Sequence, residues 1–144
     1  MLAQSVAIVA IVATGIAGPE WPPPVDTALI VVGIAVAGAG VALLGAGIAA
    51  LGRSLTPFPR PLERSSLRDR GAYRLVRHPI YGGLFLLGLG WALMTSPVAL
   101  VPTAALALIF EFKARVEEAM LEERFPEYAA YRARVRWRFL PGIR

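Results

Sequence analysis

The sequence predicts an all-α integral membrane protein with about four transmembrane helices and a cytoplasmic helical C-terminal segment, a single domain over residues 1–144. Three observations carry this. Hydrophobic residues make up 56% of the chain and charged residues 17%, and several stretches long enough to cross a bilayer carry no charge at all. All fifteen Lys and Arg fall within two segments, 53–77 and 113–144, whereas the connection after the first apolar run holds Glu20 and Asp26 and no cation. The length is one domain's worth, too little for a separate soluble catalytic domain beside a membrane anchor.

Residues 2–18 are an uncharged run of Ala, Val and Ile ended by Gly18-Pro19, predicted as the first span. A secretory signal peptide is the competing reading, but the start, Met-Leu-Ala-Gln, lacks the cation of an n-region. Glu20-Trp21-Pro22-Pro23-Pro24-Val25-Asp26 is a loop, because its proline run denies helical hydrogen bonds and Trp21 suits a membrane interface. Residues 27–51 are the second span, roughly 37 Å long at 1.5 Å per residue. Its small residues recur as Gly38, Ala42, Ala46 and Ala50, and as Gly33, Ala37, Gly45 and Ala49, predicting close packing of a neighbouring helix.

Residues 52–78 form a basic loop containing Arg53, Arg60, Arg64, Arg68, Arg70, Arg74 and Arg77, with Pro57, Pro59 and Pro61 against early helix. The next apolar stretch is too long for one span and divides at Thr95-Ser96-Pro97 into spans over 79–95 and 97–112, with Pro102 a candidate kink. The tail, 113–144, begins with a helix over Lys113–Arg124 and, after Pro126, a second run from Tyr128 to Arg138. The positive-inside rule puts both basic segments, and so both termini, on the cytoplasmic side of the cell's inner membrane.

The chain has no cysteine and one histidine, which excludes a disulfide framework, a thiolate or multi-histidine metal site and a cysteine nucleophile; no metal is expected. The net charge of +5 is carried beside apolar spans, so anionic lipid rather than nucleic acid is the expected partner.

Three constellations carry chemistry. In Gly71-Ala72-Tyr73-Arg74-Leu75-Val76-Arg77-His78-Pro79-Ile80-Tyr81-Gly82-Gly83, the basic loop enters the third span; a first-turn proline with interfacial anchors is the plain reading. The functional one is a ligand carboxylate held by first-turn N–H groups and by Arg77. In the helix leaving the fourth span, Glu111, Arg115, Glu118 and Glu122 share one face, and Lys113 pairs with Glu117 on another. Glu117 and Glu118 lie near the bilayer boundary, where an idle carboxylate is costly, and suit a cationic amino group. The third is Phe125-Pro126-Glu127-Tyr128-Ala129-Ala130-Tyr131 with Arg132, Arg134, Arg136, Trp137 and Arg138 after it, an interfacial segment in which Tyr128 and Tyr131 lie one turn apart.

Arg-His-Pro-x-Tyr-x-Gly at 77–83, Glu-Glu-x-x-Leu at 117–121 and Phe-x-x-Tyr-x-x-Tyr at 125–131, in this order, resemble the isoprenylcysteine carboxyl methyltransferase and phospholipid methyltransferase superfamily, over roughly residues 67–141. The resemblance implies S-adenosylmethionine as methyl donor and a lipophilic acceptor entering from the bilayer, methylated on a carboxylate oxygen or an amine nitrogen. It places Arg77 and His78 near the donor's carboxylate and Glu117 or Glu118 at its amino group, with Pro79, Tyr81, Gly83, Tyr128 and Tyr131 lining the pocket. Arg77, Lys113 and Glu118 are the implied catalytic residues; Lys113 stands where prenylcysteine members have an acceptor-orienting arginine, and keeps the charge without the fork. The alternative, a small four-span transporter or structural subunit, leaves these motifs idle, and the first three spans hold no ionisable residue.

Overall fold

The structure, a computed structural model, describes residues 2–52 and 70–143. Residues 53–69, the greater part of the basic loop expected over 52–78, lie outside the described residues, with Arg53, Arg60, Arg64 and Arg68. The described chain is all-helical and has no strand: α1 (Leu2–Ala17), α2 (Val25–Leu51), α3 (Pro79–Thr95), α4 (Leu100–Arg124) and α5 (Tyr128–Arg134), with 3-10 turns at Gly71–Arg74 and Pro97–Ala99. Two helical stretches, Val25–Leu51 and Pro97–Arg124, are long and apolar enough to cross a membrane, and the apolar part of the second ends at Phe112. Only 11% of the most apolar stretch of α2 is buried, so its side chains meet surroundings other than protein, as lipid-facing residues do. The helices α1 and α3 are apolar but shorter.

The chain divides into two compact units, one of residues 1–42 and 83–110, the other of 43–82 and 111–144. In the first unit the contact between α2 and α3 is made by glycine. A Cβ on Gly40 would stand 2.9 Å from the Gly83 carbonyl oxygen and from the Leu87 amide nitrogen, and one on Gly90 would stand 2.7 Å from the Gly33 carbonyl. Backbones at that separation leave no room for a side chain, which is why small residues recur at helix contacts in membranes. The buried glycines of α2 are Gly33, Gly40 and Gly47, seven residues apart, whereas Gly38 and Gly45 face open space. These glycines are seven residues apart, the spacing kept by helices that run alongside each other, and of the expected small-residue stripes Gly33 and Ala37 lie at the contact, both against Gly90.

The break between α3 and α4 falls where expected: Ser96 caps the short turn, its hydroxyl accepting from the Val98 amide at 3.3 Å. Pro102 lies in the first turn of α4, where its missing N–H is not needed. Thr103, buried, donates to the Ala99 carbonyl at 2.7 Å, and the Trp21 indole N–H donates to the Ala92 carbonyl at 3.0 Å.

In the second unit α4 continues without a break past Phe112 to Arg124, and α5 packs Tyr128, Tyr131 and Val135 against Leu121 and Phe125. The second tail helix is shorter than expected. It ends at Arg134, because from Val135 onward the main-chain carbonyls accept hydrogen bonds from elsewhere in the unit.

Candidate active site

The site is built in the second unit, around Glu118. This residue is 3% exposed, and its carboxylate accepts from three neighbours: Arg77 Nε to Oε1 at 2.9 Å, Arg138 Nε to Oε1 at 3.2 Å and Nη2 to Oε2 at 3.1 Å, with His78 Nε2 3.1 Å from Oε1. Burial alone disfavours its ionised form, but the hydrogen bonds from His78, Arg77 and Arg138 outweigh burial and hold the carboxyl well below the usual carboxylate range.

Local sequence explains how α3 delivers its share. Pro79 opens the helix at the position where a missing N–H is harmless, and the His78 carbonyl accepts from the Gly82 amide at 3.1 Å to close the first turn. The two amides just ahead of the helix donate to the tail: Arg77 N–H to the Trp137 carbonyl at 3.0 Å and His78 N–H to the Arg138 carbonyl at 2.8 Å. Arg77 Nη1 also donates to the carbonyls of Val135 at 2.8 Å and Arg136 at 3.0 Å. A Cβ at Gly82 would collide with the Phe139 carbonyl, so this glycine lets the tail lie against α3. The Arg77 guanidinium, which the sequence offers to a ligand's carboxylate, and the two amides ahead of α3 are therefore engaged by the chain's own C-terminal carbonyls, because intramolecular acceptors lie within reach.

His78 joins the two adjacent glutamates. Its Nε2 faces Glu118, and its Nδ1 lies 3.7 Å from Glu117 Oε2, beyond a hydrogen bond. The Tyr81 ring stacks on the imidazole at 5.4 Å between centroids and 6° between planes, and its hydroxyl donates to Glu117 Oε2 at 3.1 Å. Lys113 places its Nζ 4.9 Å from the Tyr81 ring centroid, a cation over the aromatic face. Unlike Glu118, the Glu117 side chain is 30% exposed. The arrangement is one closed carboxylate beside one accessible carboxylate, with an imidazole between them and a lysine one turn away.

Of the residues singled out from sequence, Arg77, His78, Pro79, Tyr81, Lys113, Glu117 and Glu118 come together here. Gly83, the next residue of α3 after Gly82, has its carbonyl against Gly40 of α2. Tyr128 and Tyr131 are core residues of the second unit, 1% and 3% exposed, with ring centroids 5.6 Å apart. The Tyr131 hydroxyl donates to the Tyr73 carbonyl at 2.8 Å and so ties α5 to the turn before Arg77. Burial first, and the nearby Glu118 charge second, push the Tyr128 phenol above its ordinary range.

Sequence reasoning missed Arg138. Besides Glu118 its guanidinium contacts Glu111, which also accepts from Arg115 Nε at 2.8 Å. Nothing local separates Arg138 from Arg132, Arg134 and Arg136. The available signal was the partner side: Glu111 and Glu118, two turns apart on one face of α4, leave room for one bridging guanidinium.

Apolar helices in the one unit and, in the other, a buried ion cluster around Glu118 define a helical membrane protein with a polar site. The sequence pattern of the phospholipid methyltransferase family matches residues 28–128, most of the chain, and the protein belongs to that family, part of the isoprenylcysteine carboxyl methyltransferase-like superfamily of membrane methyltransferases. The chain is also similar to the cobalt-zinc-cadmium resistance protein CzcN of Cupriavidus metallidurans, 36% identical over 74 residues. That match covers 50% of this chain and 34% of the relative, so the chain spans about a third of that protein's length.

Proposed function

We propose that the protein transfers a methyl group from S-adenosylmethionine to a lipid-like acceptor at the cytoplasmic face of the inner membrane, as a four-span protein with both termini inside. The observation that carries this is the placement of Glu117 and Lys113, one turn apart on α4, at the Tyr81 side chain beside His78. The methionyl end of the donor carries an ammonium and a carboxylate, and an accessible carboxylate beside a cation fits that zwitterion. Glu117 would hold the ammonium group, while Glu118, enclosed by Arg77, His78 and Arg138, organises the cluster. Lys113 would draw in an anionic group of the donor or the acceptor.

When bound, S-adenosylmethionine supplies an electrophilic methyl group on a sulfonium that leaves as a neutral thioether. The protein's own residues orient the nucleophile and keep water away. A carboxylate acceptor needs no base. With an amine acceptor, the proton released on methylation has two receivers in the site, the Glu117 carboxylate and the His78 Nδ1 facing it.

The test is calorimetric titration of S-adenosylmethionine and of its product S-adenosylhomocysteine into detergent-purified protein. Saturable binding that Glu117→Gln weakens at least about tenfold, the loss of one charge-assisted hydrogen bond, is expected. No binding to folded wild type would overturn the reading.

A further inference from the structure

We infer that Arg138 is a positioning residue of this site, setting from the C-terminal tail the direction in which Glu118 and the His78 imidazole face. Four contacts converge on it. The guanidinium reaches Glu118 through Nε and Nη2 and Glu111 through Nη1, and its main-chain carbonyl accepts the His78 amide at 2.8 Å. His78 Nε2 lies 3.1 Å from the same Glu118, so His78, Glu118 and Arg138 form a closed circuit joining the start of α3, the extension of α4 and the tail.

Charge neutralisation alone does not need this geometry, because Arg77 already provides a cation at Glu118. What Arg138 adds is a fork spanning two carboxylates seven residues apart, a shape that guanidinium has and ammonium lacks. Glu118 Oε1 is shared by Arg77, His78 and Arg138, whereas Oε2 accepts from Arg138 Nη2. Without Arg138 the carboxylate is held through Oε1 alone, so its plane turns about that anchor and the imidazole bonded to it turns too. Exposure separates Arg138 from its neighbours in the run: its side chain is 20% exposed, that of Arg132 49%.

The inference rests on the methyltransferase reading for its donor-binding arm, and the experiment keeps the two apart. His78 is the chain's one histidine, so protein labelled with 15N-histidine gives a single imidazole signal set. In Arg138→Gln those ring nitrogen resonances shift, and S-adenosylmethionine affinity falls about tenfold, while Arg132→Gln, which removes a surface pair with Glu122, changes neither. Should Arg138→Gln fail to fold, Arg138→Lys takes its place; it keeps the charge without the span, and the same shift with a smaller loss of affinity is expected. Unmoved imidazole resonances in a folded variant overturn the inference, as does a moved imidazole with unchanged donor affinity. A wild type that binds no donor overturns the methyltransferase reading, and the imidazole signals then decide the role of Arg138 alone.

Discussion

Each of the two units of this protein is organised by its own means. In the first, residues 1–42 and 83–110, the charged residues are Glu20, exposed, and Asp26, half-buried, and its buried polar residues Ser96 and Thr103 bond main-chain groups, Thr103 those of Ala99 and Gly88. It is organised by the absence of side chains, at Gly33, Gly40, Gly83 and Gly90. The second, residues 43–82 and 111–144, is organised around a buried carboxylate and the arginines that satisfy it. In lipid no hydrophobic force pushes helices together, so contact depends either on close backbone approach or on polar groups with no other partner. The first unit relies on close backbone approach, the second combines it, at Gly82, with buried polar groups, and chemistry is expected where those polar groups lie.

Substitution can break the contrast. The largest effect is expected from Glu118→Ala, which leaves Arg77, Arg138 and His78 around an empty centre and should cost roughly 3–5 kcal/mol, measured by thermal unfolding in detergent. Next comes Gly40→Leu, which forces a side chain into the α2–α3 backbone contact and should cost about 3 kcal/mol, whereas Gly38→Ala, in open space, should stay within about 0.5 kcal/mol. If the two glycine variants behave alike, the seven-residue seam is wrong. Tyr131→Phe removes the hydrogen bond to the Tyr73 carbonyl and should cost about 1 kcal/mol. Arg132→Ala, in an exposed pair with Glu122, should change stability by no more than about 0.5 kcal/mol.

pH sharpens the same contrast, because among the described residues the groups whose titration the fold shifts are in the second unit. Burial and then the Glu118 charge push the Tyr128 phenol above its ordinary value of 10.0, so the fold favours its neutral form. That contribution is complete below pH 10 and is lost as pH rises beyond it; Tyr128→Phe should flatten the alkaline fall in melting temperature. For Glu118 the sign reverses. Its carboxyl is held below the ordinary 4.5, so its contribution is present above that value and is lost as pH falls below it, and Glu118→Gln should remove that acid limb.

Much of the candidate site was legible because the residues sit at helical spacings within short motifs. Arg77, His78 and Tyr81 share one turn at the start of α3, and Lys113, Glu117 and Glu118 share two turns of α4, so each half could be read from one helix. Tyr128 and Tyr131 were legible as a pair but not as core, since an aromatic pair one turn apart looks the same against a pocket as against Leu121 and Phe125.

By itself the sequence determined where helices run and break: uncharged stretches, the proline loop, Ser96-Pro97 and the first-turn Pro79 are local facts about solvation and backbone hydrogen bonding. Tertiary structure alone decided which glycines form the seam, that α5 stops at Arg134, and that the carbonyls of residues 135–138 take up Arg77 and the amides before α3. The reason is range. Hydropathy and propensity act over a few residues, whereas the partner of a buried charge or an unpaired carbonyl is chosen by whatever lies within about 3 Å in space, here some sixty residues away along the chain.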